Sequence, residues 1–112
     1  MSETSTEALT KRALESLLRS QDGWRRVVRD MVAETPDLPP LELIFVLVNA
    51  ASTIEDVFAP GSPSRPAADQ AMRLAALLGT DLYAMQALGL PMARAADLLA
   101  YWRAHDDFFL TL

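Results

Sequence analysis

The sequence predicts an all-α fold: one compact bundle of four to five helices over residues 1–112, associating as a dimer. Three observations carry that expectation. Apolar residues recur at helical spacing in four stretches rich in Ala and Leu, and no stretch sustains strand alternation. Pro and Gly cluster between those stretches, at 35–40, 59–66 and 89–91, where they punctuate the chain. Apolar residues make up 51% of the chain and charged residues 22%, a balance that buries a core and does not stay disordered.

The first helical segment covers residues 6–34. Thr4 and Glu7 have the spacing of a capping box at its start. Leu9, Ala13, Leu17, Trp24, Val28 and Met31 form its apolar stripe, widened by Val27 and Val32. The stripe keeps its phase across Asp22-Gly23, so one long helix is possible, with Gly23 costing about 1 kcal/mol relative to Ala. The other option is a break in which Asp22 caps a second helix. The basic residues Lys11, Arg12, Arg19, Arg25, Arg26 and Arg29 form the chain's cationic cluster, interleaved with acids. Glu15 with Arg19 and Asp22 with Arg26 are i,i+4 pairs, which favours a solvated, salt-bridged face over the alternative of a membrane-surface or nucleic-acid site.

The second segment is 41–58. Six consecutive apolar residues, 43–48, could be a buried strand, but the continuation through Val57 and Phe58 favours a helix. Leu43, Leu47, Ala50, Ile54 and Val57 then share one face. Glu42, Asn49, Thr53 and Asp56 share the opposite one. This is expected to be the most buried helix. The third segment follows the polar loop 61–66 and carries Ala71, Leu74, Ala75, Leu78, Leu82 and Met85 on one stripe. That stripe crosses Gly79 in phase, which argues for one helix to Leu88. Gly79-Thr80-Asp81 could instead end one helix and cap another. Ala68, Met72 and Tyr83 add an adjacent apolar face. The fourth segment, 91–105, turns Met92, Ala95, Ala96, Leu99 and Trp102 one way and runs into the apolar tail 108–112. Residues 1–5 and 110–112 are expected as loose ends.

Composition restricts the chemistry. There is no Cys, so disulfides, thiolate metal sites and thiol nucleophiles are excluded. The formal charge of −5 is uneven: residues 1–34 sum to zero, with six bases and six acids, and residues 35–112 carry the whole excess. Nucleic-acid binding needs a basic field that this chain does not offer. The charge-free stretch 43–54 is too short to span a bilayer, and the acidic start differs from a signal peptide, so a cytoplasmic protein with no membrane role is expected.

The joint Ala87-Leu88-Gly89-Leu90-Pro91 sets a corner between two helices, with Gly past one end and Pro at the start of the next. Ala87-Leu88-Gly89-Leu90 resembles the helix end and turn of helix-turn-helix DNA-binding proteins, and Leu98 falls where a core residue of the third helix belongs. That resemblance covers about 20 residues and would divide 66–104 into helices at 66–78, 81–88 and 91–104. Met85 stands where the family places a small Ala, and Ala95 where Val or Ile is usual. The residues after the turn, Pro91-Met92-Ala93-Arg94-Ala95-Ala96-Asp97, hold one cation and little else to read base edges.

No catalytic constellation is present. His105, the chain's one His, stands in His105-Asp106-Asp107, but a catalytic zinc site takes three protein ligands, often several His. Glu42 and Asp56 lie about 21 Å apart along one helix, too far to act together. Gly-rich phosphate loops, dinucleotide motifs and the hydrolase elbow are all absent. No enzyme activity, cofactor or metal is therefore expected. The leading expectation is an interaction module, an adaptor or regulator acting through helix surfaces on itself or another protein. Its candidate interface residues are Tyr83, Tyr101, Trp102, Phe108 and Phe109, late aromatics of the kind enriched at interfaces. A helix-turn-helix regulator over 66–104 is the second reading. The third is a small-molecule binder with a pocket lined by Asp81, Tyr83 and Trp102.

Overall fold

The structure is a computed structural model and describes residues 5–112. Thr4, the proposed cap of the first helix, lies outside the described residues. The described chain is all-helical, with six α-helices and one 3₁₀ turn and no strand. The expected count of four to five rises because the first segment breaks and the tail coils into a short helix.

Helix α1 spans Ser5–Arg19 and buries Ala13 and Leu17. The chain then turns back, makes a 3₁₀ turn at Gly23–Arg25, and continues as α2, Val27–Glu34. Periodicity carried across Gly23, but the helix does not. A Cβ at Gly23 would stand 1.8 Å from the Ser16 carbonyl oxygen, so the backbone folds onto the preceding turns at a distance only Gly permits. Asp22 does not cap α2; its carboxylate lies 3.4 Å from Arg25 Nε. The break removes the i,i+4 geometry expected of Asp22 and Arg26, and no Glu15–Arg19 pair forms. Arg12 instead bridges to Glu34, tying α1 to α2.

Helix α3 is Pro40–Val57, entered through Pro39-Pro40, with Pro40 in the first turn where its missing N–H costs nothing. It buries Leu43, Val46, Leu47, Ala50, Ala51 and Ile54. Val57, expected on that stripe, is exposed because the last turn runs past the core. Helix α4 is Pro66–Ala87, unbroken through Gly79, as the phase of its stripe required. Its buried face holds four alanines, Ala67, Ala68, Ala71 and Ala75, which let α3 approach closely; α3 packs most heavily on α4 and next on α1. Met72 and Tyr83, read as an added apolar face, point outward.

The end of α4 is a Schellman turn. Gly89 has φ 71°, its N–H reaches the Gln86 carbonyl at 3.0 Å, and the Leu90 N–H reaches Met85 at 2.9 Å. The next helix does not begin at Pro91. Residues 90–94 stay outside any helix, with a bend at 93–94, and α5 is Ala95–Ala104. The reason is long-range. The Ala95 and Ala96 N–H groups donate to the Leu38 and Pro36 carbonyls, at 2.7 and 2.9 Å, so the loop after α2 takes up the orphan donors of the helix start. Asp97 Oδ2 accepts from the Ala93 and Arg94 N–H groups at 3.0 and 3.1 Å.

The tail forms α6, Phe108–Thr111. Phe109 is buried against Trp102, ring centroids 5.0 Å apart, and Arg29 Nη1 donates to the Leu110 carbonyl at 3.3 Å, fastening α6 to α2. Residues 110–112, expected as a loose end, place Leu110 and Leu112 partly buried against the core. The backbone extends 43 × 35 × 19 Å. An α-helix with its side chains is about 10 Å across, so the molecule is a plate two helix layers thick. No helix among the described residues is long and apolar enough to cross a membrane.

Candidate functional site

An 18-residue helix packed on one side keeps its other side free. At 100° per residue, the residues opposite the buried stripe of α3 are Leu41, Phe45, Val48 and Ser52. Three of the four are large and apolar. Leu41 is 71% exposed, Phe45 53% and Val48 36%. The row runs about 10 Å along the helix at 1.5 Å per residue. The same helix has no Lys or Arg; its charges are Glu42, Glu55 and Asp56. Glu42 accepts a hydrogen bond from Thr6 Oγ1 at 2.8 Å. Glu55 and Asp56 are exposed in the last turn, and neither has an ion-pair partner among the described residues. The nearby Arg65 spends its Nη1 on the Phe58 carbonyl, 3.0 Å away.

The five expected interface residues do not form one surface. Tyr83 on α4 and Phe108 on α6 are exposed. Tyr101, Trp102 and Phe109 are buried and hold the tail in place, so they reach a partner only if α5 and α6 open. The row on α3 was not singled out by sequence. Its signal was present in the run 43–48: six consecutive apolar residues in a helix cannot all face one neighbour, and Phe45 and Val48 are the two that face out.

Asp81 is buried in the middle of α4, not at a helix start, and its Oδ2 accepts the Trp102 indole N–H at 2.9 Å. Burial pushes its pKa above the ordinary carboxylate value; the indole hydrogen bond opposes that shift, and the charge of Asp106 adds to it. The Tyr101 hydroxyl is likewise raised, by burial first and then by Asp81 and Asp106. Asp81 and Trp102 meet directly, and Tyr83 lies on the outer side of α4, so the three do not line a common pocket. A groove of about 590 Å³ lies elsewhere, between the end of α1 and the start of α4, with Leu17, Leu18, Trp24, Arg25, Pro63 and Gln70 in its wall. Arg25 lies over the Trp24 ring, 4.7 Å from its centroid. A smaller hollow of about 210 Å³ lies beside Leu90, Tyr101 and His105. His105 stacks on Tyr101, centroids 5.4 Å apart.

The corner after Gly89 differs from the three-helix division drawn from its sequence. Residues 66–87 are one helix, and the connection to α5 is seven residues, 88–94, where a helix-turn-helix uses three or four. Arg94, the one cation of the would-be reading helix, stands 3.6 Å from Asp37 and 3.9 Å from Asp97. Glu42 and Asp56, the two acids on one helical face, stand at opposite ends of α3. No protein-family model, curated protein or solved structure matches the chain.

Proposed function

We propose that this chain is a non-enzymatic interaction module, an adaptor or regulator that works by docking helix surfaces, and that it docks through the outer face of α3. The observation that carries the reading is the exposed row Leu41, Phe45 and Val48 on a helix whose inner side is fully used by the core. Burying a Leu, Val or Phe side chain is worth about 1.5–3 kcal/mol, and three on one helical ridge match the i, i+4, i+7 anchors of helix-to-helix recognition. The plate-like shape supports it: α1 and α4 cover the inner side of α3, leaving the ridge for a further layer. The docked surface belongs to a second copy or to another protein.

The test is recovery of tagged chain from cells of its own source, comparing wild type with Leu41→Ser/Phe45→Ser. Both substitutions are on exposed side chains and leave the fold intact. The reading expects a discrete protein, a second copy or another chain, that wild type retains and the variant loses. An identical set of bound proteins for the two contradicts it.

A further inference from the structure

We propose that the occupant of the α3 ridge is an amphipathic helix of another protein, carrying Leu- or Phe-type residues on one side flanked by Lys or Arg, and not a second copy of this chain. This rests on the docking reading above, and three observations give the partner its chemistry.

The first is where the charges of α3 stand. Taking Leu41 as the origin at 100° per residue, Phe45, Val48 and Ser52 lie within about 40° of it. Glu55 lies about 40° to one side, and Asp56 and Glu42 about 60° and 100° to the other. The ridge is therefore flanked by acids on both sides over about 21 Å of helix, with no base on the element.

The second observation concerns the last turn. A helix C-terminus carries the negative pole of the macrodipole and favours cations. Here it holds Glu55 and Asp56 with no basic residue in the turn, and no ion pair among the described residues relieves either. Arg65 satisfies the Phe58 carbonyl but pairs with neither acid. The chain leaves this end negative, and a lysine or arginine arriving beside the ridge would complete it.

The third observation bears on self-association. In a two-fold contact the same patch meets itself. Antiparallel α3 helices would set Glu42 near Glu55 and Asp56 of the other copy, and parallel ones would set each acid against its own kind. Like charges juxtaposed across a contact select against it, whereas opposite charges set partner choice. Residues 35–112 hold four bases against nine acids, so the net charge of −5 on that region adds to the repulsion between two copies.

The experiment uses the full chain and two fluorescent helical peptides of about five turns. They share one Leu/Phe face and carry Lys or Glu at every charged position. Anisotropy is expected to show the Lys peptide binding at least about tenfold more tightly than the Glu peptide, with weakening as salt rises. Phe45→Ser, checked for an unchanged melt, should weaken the Lys peptide, and Leu41→Ser should repeat the effect. Glu55→Lys/Asp56→Lys should reverse the preference. The matched change Glu15→Lys/Asp30→Lys, on exposed positions of α1 and α2, should leave it unchanged. Equal loss in the two charge variants with no effect of Phe45→Ser means diffuse charge attraction and overturns the proposal. Binding of neither peptide, with a dimer in sedimentation that Phe45→Ser dissolves, overturns it in favour of a second copy and leaves the docking reading standing. Binding of neither peptide, with wild type and Phe45→Ser both monomeric, removes both.

Discussion

Asp81 is the buried charged side chain among the described residues, and the indole of Trp102 holds one of its oxygens. A neutral donor offsets only part of the cost of removing a carboxylate from water, so burial raises the pKa in the folded state above 3.8. The sign follows from linkage. The folded chain binds the Asp81 proton more tightly than the unfolded chain does. Its contribution to stability is complete below pH 3.8 and is lost as pH rises through the raised value. Asp81→Asn keeps an acceptor for the indole and cannot ionise. Thermal melts should therefore show the variant gaining on wild type as pH rises above 3.8 and through the raised value; a difference that does not change with pH contradicts the assignment. In the sequence Asp81 stands among Leu77, Leu78, Leu82 and Ala84, apolar neighbours from which partial burial can be read. Its indole partner, 21 residues on, depends on the direction of α5, which local pattern does not encode.

Glycines separate what periodicity can and cannot decide about an element. At Gly79 the apolar stripe crosses in phase and the helix is continuous, with open space where a Cβ would stand. Gly79→Ala should stabilise the chain by about 0.4–1 kcal/mol in denaturant unfolding, chiefly through helix propensity and unfolded-state entropy. At Gly89 the space is equally open but φ is 71°, so Gly89→Ala should cost about 1–2 kcal/mol in the same measurement. Similar shifts for the two substitutions would contradict this. At Gly23 the stripe also crosses in phase, yet the chain folds back on Ser16. Phase reports which residues share a face if the helix continues; it does not report a close backbone approach. The late start of α5 has the same kind of cause, since its first donors are taken by Pro36 and Leu38, distant in sequence. Helix existence and the main core faces of α3 and α4 were therefore legible from spacing. The face of α5 was not, since Leu98 and Tyr101 are buried there while Met92, Ala96 and Leu99 of the expected stripe are only partly buried. Neither were the two boundaries set by contacts across the chain.

Across the whole molecule, the excess apolar surface was legible and its location was not. The adjacent face of Ala68, Met72 and Tyr83 on the third segment, together with the run 43–48, exceeded what a small monomer needs to bury, which is why association was expected. Assigning the surplus to Leu41, Phe45 and Val48 required knowing that α1 and α4 both pack on the inner side of α3. The late aromatics drew the expected interface toward 101–109, but Trp102 and Phe109 satisfy each other inside the fold, and the tail closes the core. A ridge kept for a partner and not for the fold should be dispensable to stability. Phe45→Ser should alter the unfolding free energy by no more than about 0.5 kcal/mol, whereas Phe109→Ala should cost about 3–5 kcal/mol. A comparable loss in both would mean that Phe45 serves the core. The most direct test of the α3 ridge is a methyl and aromatic NMR titration of the full chain with the Lys-faced helical peptide. The account predicts that resonances of Leu41, Phe45 and Val48 shift first and furthest while those of Leu74 and Leu78 stay in place. Shifts centred instead on Leu17, Leu18 and Trp24, or on Tyr83 and Phe108, would contradict it.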